Sequence, residues 1–198
     1  MTIRRPAVII CCDGVWLIVS TIYSFLIAAF LLYFPFIWCY LRKETPESYG
    51  LTWKFTKRTM RECIMTTLCV LIPLTVIAMN WPAESLPRSS SLARTLNLAG
   101  GGIAAAFIEE VFFRGWMQTL LRRRFSPLLA IGITSAVFAA SHLFMNPAIH
   151  SMAVFFPGII MGVLRERDGN IAGSTAFHAI ANIWAIWFSP SIWFVSLP

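Results

Sequence analysis

From Gly14 to Leu41 the chain carries no charged side chain. Five further apolar runs follow, at about 63–79, 97–121, 126–145, 150–164 and 171–188, and only the one at 97–121 contains Asp, Glu, Lys or Arg. Roughly 20 apolar residues wound as a helix cross about 30 Å of hydrocarbon while satisfying their own backbone hydrogen bonds. The pattern therefore predicts an all-α fold, a polytopic bundle of about six transmembrane helices. Residues 1–198 read as one integral membrane domain, with N-terminal spans over 1–96 and a core over 97–189. The location expected is multi-pass in a membrane, with the lipid bilayer as a partner.

Composition closes the alternatives. The chain is 58% hydrophobic and 13% charged, against about 25% charged in soluble domains, so one soluble core could not hide its apolar surface. The net charge of +7 resembles a nucleic-acid signature, but the bases sit in short loops between apolar runs. That is how topology determinants are distributed, and it excludes nucleic acid as a partner. Cys11, Cys12, Cys39, Cys63 and Cys69 are odd in number and lack a CxxC pair, which points to packing residues.

Punctuation supports the six runs. Asp13 is a candidate cap for the first, which holds Pro35. Asn80-Trp81-Pro82 ends the second, and residues 82–95, with serines at 89 to 91, read as an exposed connection. Ser126-Pro127 supplies a cap and a first-turn proline for the fourth run. Asp168-Gly169-Asn170 reads as a tight turn before the sixth. Eleven of the 16 Lys and Arg fall in the loops joining runs one to two, three to four and five to six. Those loops are expected on the cytoplasmic side, opposite Arg4, Arg5, Arg88 and Arg94.

Three polar clusters interrupt the hydrocarbon: Glu109-Glu110 with Arg114, Ser141-His142 below Phe138, and His178 with Asn182. Ionisable groups at bilayer depth cost several kcal/mol, roughly 2.5–3.5 even on lenient scales, so they are functional candidates by default. Positions four apart share a helix face. Arg114 can thus neutralise Glu110 as a buried pair, whereas Glu109 has no partner on its own helix and is available as a general base. His142 could help Glu109 hold a water. His178 and Asn182 could aim two donors at one oxygen, the arrangement that stabilises a tetrahedral intermediate. Phe112, Phe113 and Phe138 read as packing residues, and the GxxxG at Gly158–Gly162 as a close helix contact within the chain.

The residues alone leave three classes open. One is a metal-free peptidase. A second is a zinc metalloprotease using Glu109, His142 and His178, although no HExxH motif occurs. The third is non-enzymatic, a transporter or immunity protein, since buried Glu and His also serve proton relays and packing.

EExxxR, FxxxH and HxxxN on successive helices resemble the three motifs of the CPBP family, the CAAX-protease and bacteriocin-processing (Abi) group of intramembrane glutamate proteases. Here they are Glu109-Glu110…Arg114, Phe138…His142 and His178…Asn182, within about 100–188. The resemblance implies an intramembrane endopeptidase of a membrane-associated protein or peptide, without metal or other cofactor, in a bacterial inner (plasma) membrane. It implies that Glu109 and His142 activate water, that His178 and Asn182 form the oxyanion site, and that Glu110 and Arg114 support the geometry. With the charge count, the pocket is expected to open outward, toward a translocated sorting tag or leader rather than a cytosolic CAAX tail. The oligomeric state is not encoded in any of these features.

Overall fold

In the computed structural model, residues 10–82, 85–145 and 149–189 are described, with side chains over 22–82, 85–143 and 151–189. Six helices follow one another: α1 (Ile10–Arg42), α2 (Lys57–Met79), α3 (Leu92–Arg122), α4 (Pro127–Met145), α5 (Phe155–Asp168) and α6 (Ala172–Phe188). Among the described residues there is no strand. The fold is an all-α membrane bundle, and its six helices correspond to the six apolar runs.

Three helical stretches, Ile22–Arg42, Lys57–Met79 and Leu92–Arg122, are long and apolar enough to cross a bilayer by length and composition. Their large apolar side chains point outward: Phe25, Leu26 and Tyr40 on α1 and Ile64, Ile72 and Val76 on α2 are all exposed. In water so large an apolar surface would be a liability; against lipid tails it is what a span requires. α4 is apolar but shorter, and α5, at 14 residues, rises only about 21 Å at 1.5 Å per residue. α5 is preceded by a 3₁₀ turn at Ile149–Val154, where the sequence predicted one continuous run from residue 150.

The helix ends show which local signals operate. Thr56 caps α2 by accepting from Thr59 N. Ser91 caps α3 by accepting from Arg94 N at 3.3 Å, so the helix starts within the stretch expected to be a connection. Asp13 lies inside α1 instead of capping it, and its side chain, like those of Cys11 and Cys12, lies outside the described ones. Arg4 and Arg5 also lie outside the described residues. Ser126 Oγ accepts from Leu129 N at 3.4 Å. Gly169 closes α5 in the left-handed region at φ +67°, a conformation glycine adopts without steric cost. Asn170 then accepts from Ala172 N to open α6. Cys39 and Cys63 are buried free thiols and Cys69 is exposed.

The bundle's two ends differ. The connections rich in Lys and Arg gather at one end, where Arg123 meets Glu44 at 2.8 Å. Arg167 meets Glu62 at 2.9 Å there, and Ile171 N donates to Gly50 O at 3.1 Å. At the other end, Arg88 N donates to Trp187 O at 2.9 Å. Inside, α6 crosses the first half of α3, which α1 also touches, and α1, α4 and α5 enclose its second half. Phe34, Trp38, Phe112 and Trp116 seal the α1 side with ring contacts of 5.0 to 6.4 Å.

Candidate active site

α3 changes winding where the polar residues begin. Leu92–Glu110 is α-helical, Val111–Met117 forms a π-helical turn, and Gln118–Arg122 returns to α. Such insertions recur at functional sites because they re-aim side chains within an otherwise regular helix. Nothing in composition or spacing announces this one.

Glu110 and Arg114 are completely buried, with Arg114 Nη1 3.7 Å from Glu110 Oε1. Arg114 also donates from Nη2 to Gly158 O at 3.1 Å and lies over the Phe138 ring, 4.5 Å from its centre. The close approach needs Gly158: a Cβ there would stand 3.4 Å from Arg114 Nη2 and 3.2 Å from Ser135 Cβ. The GxxxG is thus a contact within the chain.

The same contact extends along both helices. Gln118, one turn beyond Arg114, is completely buried and donates from Nε2 to Gly162 O at 3.0 Å. Arg122, one turn further, donates from Nε to Glu166 Oε1 at 2.7 Å. Positions 114, 118 and 122 on α3 therefore face 158, 162 and 166 on α5 as a polar ladder. Gln118 and Glu166 stand four residues from Arg114 and Gly162, and that spacing is the sequence signal for the ladder.

His178, from α6, enters between the two carboxylates. Its Nδ1 is 3.2 Å from Glu110 Oε1, and its Nε2 is 3.7 Å from Glu109 Oε2. Glu109, unpartnered on its own helix, is thus partnered across helices. Its side chain retains 22% of its exposure, against none for Glu110. Of the two carboxylates, only Glu109 can be reached from outside the protein. Ser174, one turn before His178 and completely buried, also contacts Glu110.

His142 Nδ1 lies 3.0 Å from Phe138 O on its own helix. A carbonyl oxygen can only accept, so Nδ1 holds the proton and, in the neutral ring, Nε2 has a free lone pair. Phe138 joins the two histidines: its ring centre is 4.5 Å from that of His142 and 5.9 Å from that of His178. Expected only to pack, it touches His142, His178 and Arg114 together.

Asn182, one turn beyond His178, donates from Nδ2 to Gly102 O at 3.0 Å. Gly102 permits this, since a Cβ there would lie 3.1 Å from Asn182 Cβ. The structure thus gathers Glu109, Glu110, Arg114 and His178 into one contact set and attaches His142 through Phe138. Asn182 is held through one of its amide hydrogens on the Gly102 carbonyl, one turn along α6 from His178. Among the described residues, no group of three or more His, Cys, Asp or Glu is arranged to hold a metal ion.

Fold and site together define a class: a polytopic helical membrane protein with a buried carboxylate–imidazole cluster reached through one partly exposed glutamate. Residues 91–184, which contain all three motifs, match the family model Rce1-like, described as Type II CAAX prenyl endopeptidase Rce1-like. Over that stretch, a little under half of its length, the chain is similar to the CAAX protease (CPBP) family of intramembrane endopeptidases. Neither curated proteins nor solved structures give a match to it.

Proposed function

We propose that the chain hydrolyses a peptide bond of a membrane-associated protein or peptide, with Glu109 as the general base. The observation that carries this reading is the asymmetry of the paired carboxylates. Glu110 is fully buried on Arg114 and His178, whereas Glu109 keeps a partly open face beside the same imidazole. A group that must meet substrate has to be reachable, and a group that only fixes geometry does not.

In this reading a water lies between Glu109 and the free Nε2 lone pair of His142. Glu109 takes one of its protons as the water oxygen bonds to the scissile carbonyl carbon. Negative charge moves onto the carbonyl oxygen, which needs donors at close range. His178 supplies one from Nε2; because Nδ1 already faces Glu110, the ring carries both protons as an imidazolium in that step. Asn182 supplies the other from its second Nδ2 hydrogen, the first being held by Gly102 O. The C–N bond then breaks, and Glu109 returns its proton to the leaving nitrogen. Glu110, held by Arg114, keeps His178 in place. No step calls for a metal.

We further infer that the chain acts as one integral domain whose motif-bearing core lies within 97–189, in a bacterial inner membrane. The gathering of the basic connections at one end supports placing that end in the cytoplasm. The substrate is then a translocated segment, such as a sorting tag or leader. Mapping of protein termini in membranes from cells carrying the wild-type or the Glu109→Gln chain tests the proposal. At least one membrane-associated protein should be longer in the variant; identical termini in both membranes would refute it.

A further inference from the structure

A groove of about 380 Å³ runs between α2 and α5, and none of the motif residues lines it. Its walls change character along the helices. Arg61 and Glu62 stand near the start of α2 and Arg167 near the end of α5, so the polar groups meet at one end of the groove. Met65, Ile159, Ile160 and Val163 line the rest. A charged mouth at the bundle's end above an apolar trough within a span has the polarity of a single phospholipid.

The charges favour an anion at the mouth. α2 begins with Lys57, Arg58 and Arg61 and has no acid in its first turn. These cations crowd the positive end of the helix dipole, an arrangement disfavoured unless negative charge is supplied nearby. Glu62 supplies some, pairing with Arg58 at 3.0 Å and Arg167 at 2.9 Å. Asp168 stands close to this group, against Thr59. Arg61 lies at the groove mouth with an exposed side chain and forms neither a hydrogen bond nor an ion pair among the described residues.

We propose that this groove binds an anionic phospholipid, its phosphate on Arg61 with support from Arg167 and one acyl chain along Met65, Ile159 and Val163. The site is independent of the catalytic cluster. Native mass spectrometry of the detergent-purified full chain tests it, titrating phosphatidylglycerol, phosphatidylcholine and glycerol 3-phosphate. Phosphatidylglycerol should bind more tightly than phosphatidylcholine, and glycerol 3-phosphate should not compete with it. Arg61→Gln should weaken phosphatidylglycerol binding roughly five-fold, the worth of one basic residue against an anionic lipid surface. Val163→Trp, which fills the trough from an exposed position, should also weaken it, with the melting temperature of both variants near wild type. Equal binding of the two lipids, or no effect of either substitution, would overturn the proposal. Competition by glycerol 3-phosphate would reassign the mouth to a free phosphate. Loss of a dimer in Val163→Trp with lipid binding unchanged would reassign the groove to a second copy of the chain.

Discussion

The two halves of α3 are one continuous helix in opposite surroundings. Beyond Glu110 it is enclosed: Val111, Phe112, Phe113, Arg114 and Gly115 are all buried, and the polar ladder ties it to α5. Before Glu109 it leans mainly on α6, through Gly102 and Asn182, with Trp53 stacked on Phe107, and Leu96, Ile103 and Phe107 are exposed. Gly100 and Gly101 have nothing within 4 Å of where a Cβ would stand. In low dielectric an unpaired polar group is costly, and the enclosed half gives Arg114, Gln118 and Arg122 acceptors on α5. The open half leaves a face of small side chains leading to Glu109, with Gly101, Ala105 and Glu109 spaced four apart. One half is a scaffold and the other is access, with the proposed base at their boundary.

The largest expected effect lies in the enclosed half. Arg114→Ala strands the buried Glu110 carboxylate and should cost about 3–5 kcal/mol of stability, the range for broken buried pairs. Thermal unfolding of the detergent-purified protein measures it, and a melting temperature near wild type would remove the ladder's structural role.

A matched glycine pair sharpens the contrast. In Gly162→Ala the new Cβ would stand 2.8 Å from Ile131 Cγ2 and 3.2 Å from Gln118 Oε1. Ile131 is β-branched and yields poorly, so overpacking should cost about 1–3 kcal/mol. Gly101→Ala meets open space and should be neutral, or stabilising by up to about 1 kcal/mol through helix propensity. Equal losses at the two positions, read in the same thermal assay, would erase the distinction between the halves.

Much of this organisation was legible beforehand, and the exceptions share a cause. The apolar runs located the helices because bilayer thickness fixes their length. The four-residue spacing of Glu110 and Arg114 predicted their pairing, and Ser126 and Gly169 marked helix ends by local chemistry. What escaped depends on contacts between elements. His178 bridges carboxylates 68 and 69 residues away in sequence, which no spacing rule reveals. The π turn lies where α1, α4 and α5 enclose α3, and two serines precede the cap at Ser91. Asn182 was read from its face-sharing with His178, yet the proximity of Gly102 decides where its amide donates.

A smaller effect tests the basic end against both halves. Glu44 lies outside the spans, and its hydrogen bonds from Arg123 and Tyr49 hold its carboxyl down at about 2, from an ordinary 4.5. A lowered value means that its stabilising contribution is complete above the ordinary value and fades as pH falls toward the folded one. The melting-temperature gap between wild type and Glu44→Gln should therefore narrow on acidification from neutral pH to about 3. A gap constant over that range would show that this ion pair does not tie the helix ends together.

The central claim is that Glu109 does the chemistry while Glu110 holds the scaffold. Its most direct test is cleavage of a substrate found by terminus mapping, measured with purified Glu109→Gln reconstituted in vesicles. Hydrolysis should be lost while the melting temperature stays near wild type, because the amide keeps the side chain's size and the buried Glu110–Arg114 pair is untouched. Wild-type cleavage by Glu109→Gln would contradict the account.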